Sequence, residues 1–257
     1  MISDAMLTQE YFDTMNSLDG DLAGKRSARA YMDQSSAIVH HRVVGASFIP
    51  RLYNDEVWER FRFISETIHT ILCKVIERYR SDESYRAVFD YDPRLVELIL
   101  LSRGYDAILP FARVDIFLNE DTLESAFCEL NGDGSAGLNE DREIVHSIEG
   151  SETFTRFAAH HQLESCELFK SWVSEFIAIY ETFKNKVAHP RFAICDYLDV
   201  GVVDEFRIFS EYFKQAGYEC VIADVRDLSF DGTVLRDGNG QQIDAIWRRC
   251  VTNDVLE

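Results

Sequence analysis

A chain of 257 residues, 46% of them hydrophobic, is long enough to bury a sizeable core and to form one or two domains. Its formal charge is −19, which excludes the basic surface that binds nucleic acid or anionic lipid. The sequence has no apolar run of about 18 residues and no signal peptide at its start, so we expect a cytoplasmic protein without a membrane partner.

The six cysteines are scattered along the chain and form no C-x-x-C pair. They are therefore predicted to be small buried apolar residues in a reducing compartment, and a zinc site is not expected. They are Cys73, Cys128, Cys166, Cys195, Cys220 and Cys250.

The first 40 residues are polar and helical in tendency, with helices expected over residues 10–18 and 28–39. His40 and His41 follow directly. A metal-binding role for this pair is possible, but adjacent residues do not share a helix face, so helix-cap or surface positions are favoured.

Residues 55–80 carry apolar side chains at three- and four-residue steps, which predicts a long core helix capped by Asn54 or Asp55. Pro93 fits the first turn of a second helix, which is expected to continue to residue 102 and to be closed by Gly104.

The next segment predicts a β-hairpin. Apolar and polar residues alternate over 111–118, which indicates a strand, and a polar turn at 119–122 leads to a second short strand at 126–130. Residues 131–137 form a loop rich in glycine. The helix that follows is expected to be capped by Asn139.

The hairpin has a chemical consequence, because residues two apart in a strand share a face. Arg113 and Asp115 therefore point the same way, and so do Glu129 and Asn131. Antiparallel pairing would bring together two carboxylates, an amide oxygen and a guanidinium. Hard oxygen ligands of this kind suit Mg²⁺, and a nearby arginine can neutralise a transferring phosphoryl group.

The pattern R-x-D on one strand and E-x-N on the next, followed by a glycine-rich loop, resembles the metal-binding end of ATP-grasp ligases. The order of segments is most similar to the circularly permuted group that includes glutathionylspermidine synthase. The resemblance implies that Asp115, Glu129 and Asn131 hold Mg²⁺ and that Arg113 contacts the phosphoryl group of ATP as a catalytic residue. It also implies that the loop lies near the acceptor carboxylate, with Gly132, Asp133 and Ser135 as substrate-binding residues.

The same residues also allow other interpretations. The four polar side chains could form a structural ion-pair cluster on a sheet face. A calcium loop is excluded because its sixth and twelfth places, counted from Asn131, would be Ala136 and Arg142 rather than Gly and Glu. A serine hydrolase is disfavoured because Asp133 stands where G-x-S-x-G requires glycine.

The C-terminal third changes character. After helices over 141–147, 152–160 and 163–187, a strand at 191–196, a helix at 204–215 and a strand at 218–223 predict a parallel β–α–β unit. A small hairpin and a last strand at 243–249 follow.

This third resembles the Rossmann-like pre-ATP-grasp substrate domain of the same ligases, which would place Arg248 and Arg249 near the active cleft. The alternative is a strand end with two solvated arginines.

The predicted fold class is α+β or α/β. Residues 1–188 would form a helical region with the metal-site hairpin, and residues 189–257 the small Rossmann-like domain. Nothing after Arg249 resembles the lid that holds ATP in these ligases, so we expect a truncated chain or a natural fragment with little or no ATP turnover alone.

The resemblance implies an ATP- and Mg²⁺-dependent ligase that joins a small-molecule or peptide carboxylate to an amine through an acyl phosphate. The alternative is a non-catalytic relative that binds a peptide or polyamine-like ligand, and a third possibility is a structural interaction module. The sequence leaves open which acid and amine are joined, and the oligomeric state.

Overall fold

The protein was analysed as a computed structural model that describes residues 3–39, 42–200 and 202–256. The interpretation of His40 and His41 falls outside these residues. The helices are α1 (Asp4–Asn16), α2 (Leu22–Met32), α3 (Asp55–Ser81), α4 (Glu83–Arg86), α5 (Pro93–Leu100), α6 (Leu138–Glu149), α7 (Glu152–Ala158), α8 (Leu168–Glu181), α9 (Val203–Gln215) and α10 (Thr252–Leu256). The strands are β1 (Ile38–Val39), β2 (Arg42–Val43), β3 (Arg113–Leu118), β4 (Ser125–Asn131), β5 (Arg191–Asp196), β6 (Glu219–Asp224), β7 (Ser229–Phe230), β8 (Leu235–Arg236), β9 (Gln242–Ile243) and β10 (Ala245–Arg248).

The mixed class of helices and small sheets is confirmed, although both N-terminal helices start and end earlier than predicted. The start of α2 is fixed by the buried carboxylate of Asp21, which accepts a hydrogen bond of 2.9 Å from the N–H of Gly24. The same carboxylate accepts hydrogen bonds from the backbone and hydroxyl of Thr153 at the start of α7. One side chain thus joins two helix N-termini.

The long helix α3 is confirmed, and Asn54 caps it by accepting a hydrogen bond of 3.0 Å from the N–H of Val57. Helix α5 begins at Pro93 as predicted but ends at Leu100, two residues early. Its last carbonyl groups are bonded instead by the guanidinium of Arg80 on α3, which donates to Ile99, Leu100 and Leu101. No helix in the described ranges is long and apolar enough to cross a membrane.

Strands β3 and β4 form the predicted antiparallel hairpin as a separate two-stranded sheet. The register shifts between Asp115 and Ile116, because Asp115 pairs with Glu129 whereas Ile116 pairs with Phe127. Cys128 is therefore the extra residue of a β-bulge. Residues 125–130 of β4 are exposed along their whole length.

The C-terminal third forms a parallel sheet in the order β10-β5-β6, with α9 connecting β5 to β6 as predicted. Its main core combines Phe192 of β5 with Phe206, Phe209 and Phe213 of α9. Helix α8 packs on this core through Phe169, Val173 and Tyr180, so the core joins residues from both sides of position 188. The domain boundary and the Rossmann-like layout stay predictions.

Two predicted helix ends and the burial of three cysteines were wrong. Helix α8 starts at Leu168 rather than at 163 because the side chain of Glu167 caps it, accepting from the N–H of Lys170 at 2.7 Å. It ends at Glu181 rather than at 187. Cys195, Cys220 and Cys250 are buried, whereas Cys128 and Cys166 are exposed and Cys73 is half-buried. All six thiols are free.

The predicted cap of α6 was also wrong. Asn139 lies inside the helix, fully buried, and donates a hydrogen bond of 2.8 Å to the carbonyl oxygen of Ser36. The cap comes from a distant element, because Oε2 of Glu205 on α9 accepts the N–H groups of Leu138 and Asn139, each at 3.1 Å. A carboxylate at this position also suits the positive end of the helix dipole.

The other oxygen of Glu205 binds Arg249 at the end of β10, with 2.8 Å between Nη1 and Oε1. Glu205 is fully buried and Arg249 is 4% exposed. The guanidinium also lies 5.0 Å from the ring centre of Phe206 and 4.8 Å from that of Trp247. This ion pair therefore connects α6, α9 and β10 in the interior.

Replacing Glu205→Gln is expected to lower the free energy of unfolding by about 3 kcal/mol, because Arg249 would keep its buried charge without a counter-charge. Asp204→Asn is the matched control. Asp204 forms an exposed pair with Arg207, so its loss should cost less than about 1 kcal/mol. Denaturant unfolding of both variants measures the difference, and equal losses would contradict a structural role for the buried pair.

Candidate functional site

Strand pairing brings the four predicted polar residues together on one face of the hairpin. Arg113 lies opposite Asn131 and Asp115 lies opposite Glu129, and both pairs precede the bulge in β3. Because residues two apart share a face, the four side chains project from the same side. We call this group the hairpin quartet.

The hairpin quartet is linked by hydrogen bonds. Nε of Arg113 donates to Oδ1 of Asp115 at 3.0 Å. When the Asn131 amide is oriented to satisfy both neighbours, its nitrogen donates to Glu129 at 3.0 Å and its oxygen accepts from Nη2 of Arg113 at 3.1 Å. The chain of contacts therefore runs from Asp115 through Arg113 and Asn131 to Glu129.

The donor set of the hairpin quartet fits Mg²⁺ in type. Two carboxylates and an amide carbonyl are hard oxygen ligands, and Mg²⁺ commonly takes one or two carboxylates plus waters or phosphates. The side chains of Arg113 and Asp115 are 48% and 40% exposed, so an ion can reach them from solvent. Among the described residues, no group of three or more His, Cys, Asp or Glu side chains could hold a metal ion.

The glycine-rich loop at 132–137 is tied to the quartet. Nη1 of Arg113 donates to the carbonyl oxygen of Ala136 at 3.0 Å. The hydroxyl of Ser135 donates to the backbone carbonyl oxygen of Asn131 at 3.2 Å. Gly134 has a φ of 58°, and a Cβ there would lie 3.1 Å from the carbonyl oxygen of Arg249. Only glycine therefore fits this close approach to the end of β10.

A half-open cavity of about 530 Å³ lies beside this loop, and we call it the loop cavity. Its wall includes Gly132, Asp133, Ser135 and Arg248, four of the five predicted substrate-binding residues. The fifth, Arg249, lies elsewhere, because its guanidinium is buried against Glu205.

Aromatic residues form nearly half of the remaining wall, and no sequence motif marked them as part of a site. Phe111 stacks on Trp172 with 3.9 Å between ring centres, and Trp172 lies 4.8 Å from Trp247. Trp172 follows the apolar face of α8, and its position is typical of a core residue. Both residues of the stacked pair line the loop cavity.

Asp133 anchors the loop to the C-terminal segment. Its Oδ2 accepts the backbone N–H of Thr252 at 2.9 Å and the hydroxyl at 2.6 Å, at the start of α10. Arg248 approaches the same oxygen at 3.9 Å and donates to Cys250 and Thr252. Burial acts most strongly and would raise the pKa of Asp133, but the hydrogen bonds from Thr252 and the charge of Arg248 together hold the pKa below its usual value.

No model of a known protein family matches this chain, and no curated protein sequence shows significant similarity to it.

Gly134→Ala is expected to lower the free energy of unfolding by about 1–3 kcal/mol, since alanine is strained at positive φ and its Cβ would crowd Arg249. Gly132→Ala is the control, because φ there is not positive and a Cβ would meet nothing within 4 Å. Its effect should stay within about 1 kcal/mol. Chemical denaturation distinguishes the two, and equal effects would mean that the loop does not depend on the close approach.

Asp133→Asn is expected to lower the melting temperature most above pH of about 5. Because the pKa of Asp133 is lower in the folded than in the unfolded protein, its carboxylate stabilises the fold. This contribution is complete well above the unfolded-state pKa of about 3.9 and is lost as the pH falls through the folded-state pKa. The difference from the natural chain should therefore shrink in acid. Thr252→Val, which removes one donor to Asp133, should show the same trend. Thermal melts across pH measure this, and a pH-independent difference would contradict it.

Proposed function

We propose that this chain is the metal- and acceptor-binding part of an ATP- and Mg²⁺-dependent carboxylate–amine ligase of the circularly permuted ATP-grasp type, similar to glutathionylspermidine synthase. The observation that carries the proposal is the convergence of Arg113, Asp115, Glu129 and Asn131 on one face of the hairpin. The loop that follows them borders a cavity lined by Asp133, Ser135 and Arg248, which supports an acceptor site next to the quartet.

In the proposed reaction the acceptor carboxylate attacks the γ-phosphorus of ATP, which gives an acyl phosphate and ADP. The amine then attacks the acyl carbon, loses a proton and expels inorganic phosphate to leave an amide. Asp115, Glu129 and Asn131 would hold Mg²⁺, which when bound neutralises charge on the phosphates. Arg113 would contact the transferring phosphoryl group, and its bond to Ala136 would keep the loop in register with it.

We extend the proposal to a Rossmann-like substrate domain in the C-terminal third and to a cytoplasmic location. The parallel β5–α9–β6 unit supports a Rossmann-like substrate domain, because parallel neighbours joined by a helix are the building unit of such domains. Six free thiols support a reducing, cytoplasmic location.

A non-catalytic binding relative is the second candidate. It is favoured by the bonds within the quartet, since Arg113 already pairs with Asp115 and Asn131 without any ion. In that case the loop cavity would bind a peptide or polyamine-like ligand and the quartet would be structural.

Mg²⁺ is expected to stabilise the natural chain by about 2.7 kcal/mol at a hundredfold excess over its dissociation constant. Asp115→Ala should abolish this effect, and Glu129→Gln should weaken binding about tenfold because one carboxylate ligand is lost. Asp121→Ala is the control, because Asp121 is an exposed carboxylate in the turn at the far end of the same hairpin. Thermal melts and calorimetric titration with Mg²⁺, alone and with a non-hydrolysable ATP analogue, provide the measurement.

If Asp115→Ala and Asp121→Ala respond to Mg²⁺ equally, the quartet is not a metal site and the ligase proposal fails. A quartet that is purely structural predicts no effect of Mg²⁺ on the melting temperature of any of these chains.

A further inference from the structure

A second cavity adjoins the loop cavity. It has a volume of about 600 Å³ and is lined by residues of α3, α5 and the segment that follows α5. We call it the α3–α5 cavity. Arg103, Tyr105 and Arg248 line both cavities, so these three residues form a shared wall.

The charge of the α3–α5 cavity is opposite to that of the chain as a whole. Its described lining includes three arginines and no aspartate or glutamate, although the formal charge of the chain is −19. Arg80 is engaged by the carbonyl groups at the end of α5. Arg103 donates once among the described residues, from Nη1 to Ile108 at 2.7 Å, and a guanidinium carries five N–H donors. The shared wall thus keeps positive charge and guanidinium N–H groups that can donate hydrogen bonds to a ligand.

Each cavity is lined by one residue that has a buried donor without a partner among the described residues. These donors are the hydroxyl of Tyr79, which lines the α3–α5 cavity and is only 5% exposed, and Nε1 of Trp172, which lines the loop cavity. An indole N–H can only donate.

The acids of the loop cavity, in contrast, are already engaged. Asp133 accepts from Thr252, and Asp244 accepts from the N–H of Arg191 at 2.8 Å. The shared wall therefore presents arginine donors to a ligand, while the carboxylates of the loop cavity already accept hydrogen bonds from the protein.

The remaining walls are mostly apolar, with both aliphatic and aromatic side chains. Tyr79, Phe89 and Tyr91 form an aromatic cluster with ring centres 5.3–5.9 Å apart in the α3–α5 cavity. Leu98 and Ile99 of α5 also line this cavity. Such walls favour a ligand that buries an apolar body, at roughly 25 cal/mol per Å² of buried apolar area.

We infer that the two cavities take one ligand, a carboxylic acid with an aromatic or branched apolar body. Its carboxylate lies at Arg103 and Arg248 in the shared wall, and its body lies in the α3–α5 cavity. The role of this acid as the acceptor rests on the proposed ligase function, because its carboxylate would face the loop that follows Asn131. Its binding requires neither ATP nor metal.

Three probes test the inference by calorimetric titration into the natural chain, with EDTA present and no nucleotide. They are 4-phenylbutyrate, 4-phenylbutylamine, which has the same body and the opposite charge, and butyrate, which has the same head group and no ring. We expect saturable binding of 4-phenylbutyrate, about tenfold or more tighter than either of the others.

Variants locate the two ends of the ligand. Arg103→Gln should weaken 4-phenylbutyrate binding about tenfold, because a charged hydrogen bond is lost. Arg29→Gln is the matched control, since the side chain of Arg29 is 85% exposed and lines neither cavity.

Leu98→Glu, at a half-exposed position of the cavity wall, provides a variant that does not disturb Arg103. It should weaken binding of 4-phenylbutyrate but not of butyrate, which has no ring to reach Leu98.

The inference is overturned if 4-phenylbutylamine or butyrate binds as tightly as 4-phenylbutyrate, if no probe binds saturably, or if Arg103→Gln and Arg29→Gln behave alike. Binding of 4-phenylbutyrate without any response to Mg²⁺ would support the inference while removing the ligase proposal. A response to Mg²⁺ with no preference for 4-phenylbutyrate would support the ligase proposal and overturn the inference.

Discussion

The position of the candidate site depends on one buried carboxylate. Glu205 accepts two N–H groups at the start of α6 with one oxygen and binds Arg249 with the other, in a fully buried position. Removing two charges from water is costly, and the pair is compensated only because the helix terminus and the aromatic faces around Arg249 add favourable contacts. The glycine-rich loop enters α6 directly and touches the backbone of Arg249 at Gly134. The ion pair therefore holds the end of the loop, where α6 begins, and its middle, at Gly134, close to the parallel sheet.

The hairpin follows a different physical rule. The side chains of Arg113 and Asp115 are only partly buried, and such ion pairs near the surface contribute little to stability. The arrangement of Arg113, Asp115, Glu129 and Asn131 is set by the backbone pairing of β3 and β4, with the side-chain bonds refining it. A site of this kind can exchange its internal bonds for an ion at low cost, whereas the buried pair cannot. The rigid anchor and the adaptable quartet are joined by the loop.

Local sequence patterns predicted those features whose causes are local. Alternation revealed the hairpin, three- and four-residue steps revealed α3, and Pro93 marked the start of α5, because each depends on neighbouring residues. The cap of α6 was missed because Glu205 lies 66 residues from Asn139 along the chain. The end of α5 was missed for the same reason, since Arg80 comes from α3. Trp172 fits a core stripe, and only the packing of Phe111 against it shows that this face borders a cavity.

Because of the β-bulge at Cys128, the side of the sheet that each quartet residue faces depends on the exact number of residues in β4. Phe127 and Glu129 are two apart, yet they face opposite sides of the sheet, because the extra residue between them inverts the alternation. Glu129 and Asn131 share a side only because the inversion comes before both of them. A single inserted or deleted residue between Glu129 and Asn131 would send one of the two to the other side and dismantle the quartet with no change in its chemistry. The spacing of this segment is thus as much a part of the site as the side chains themselves.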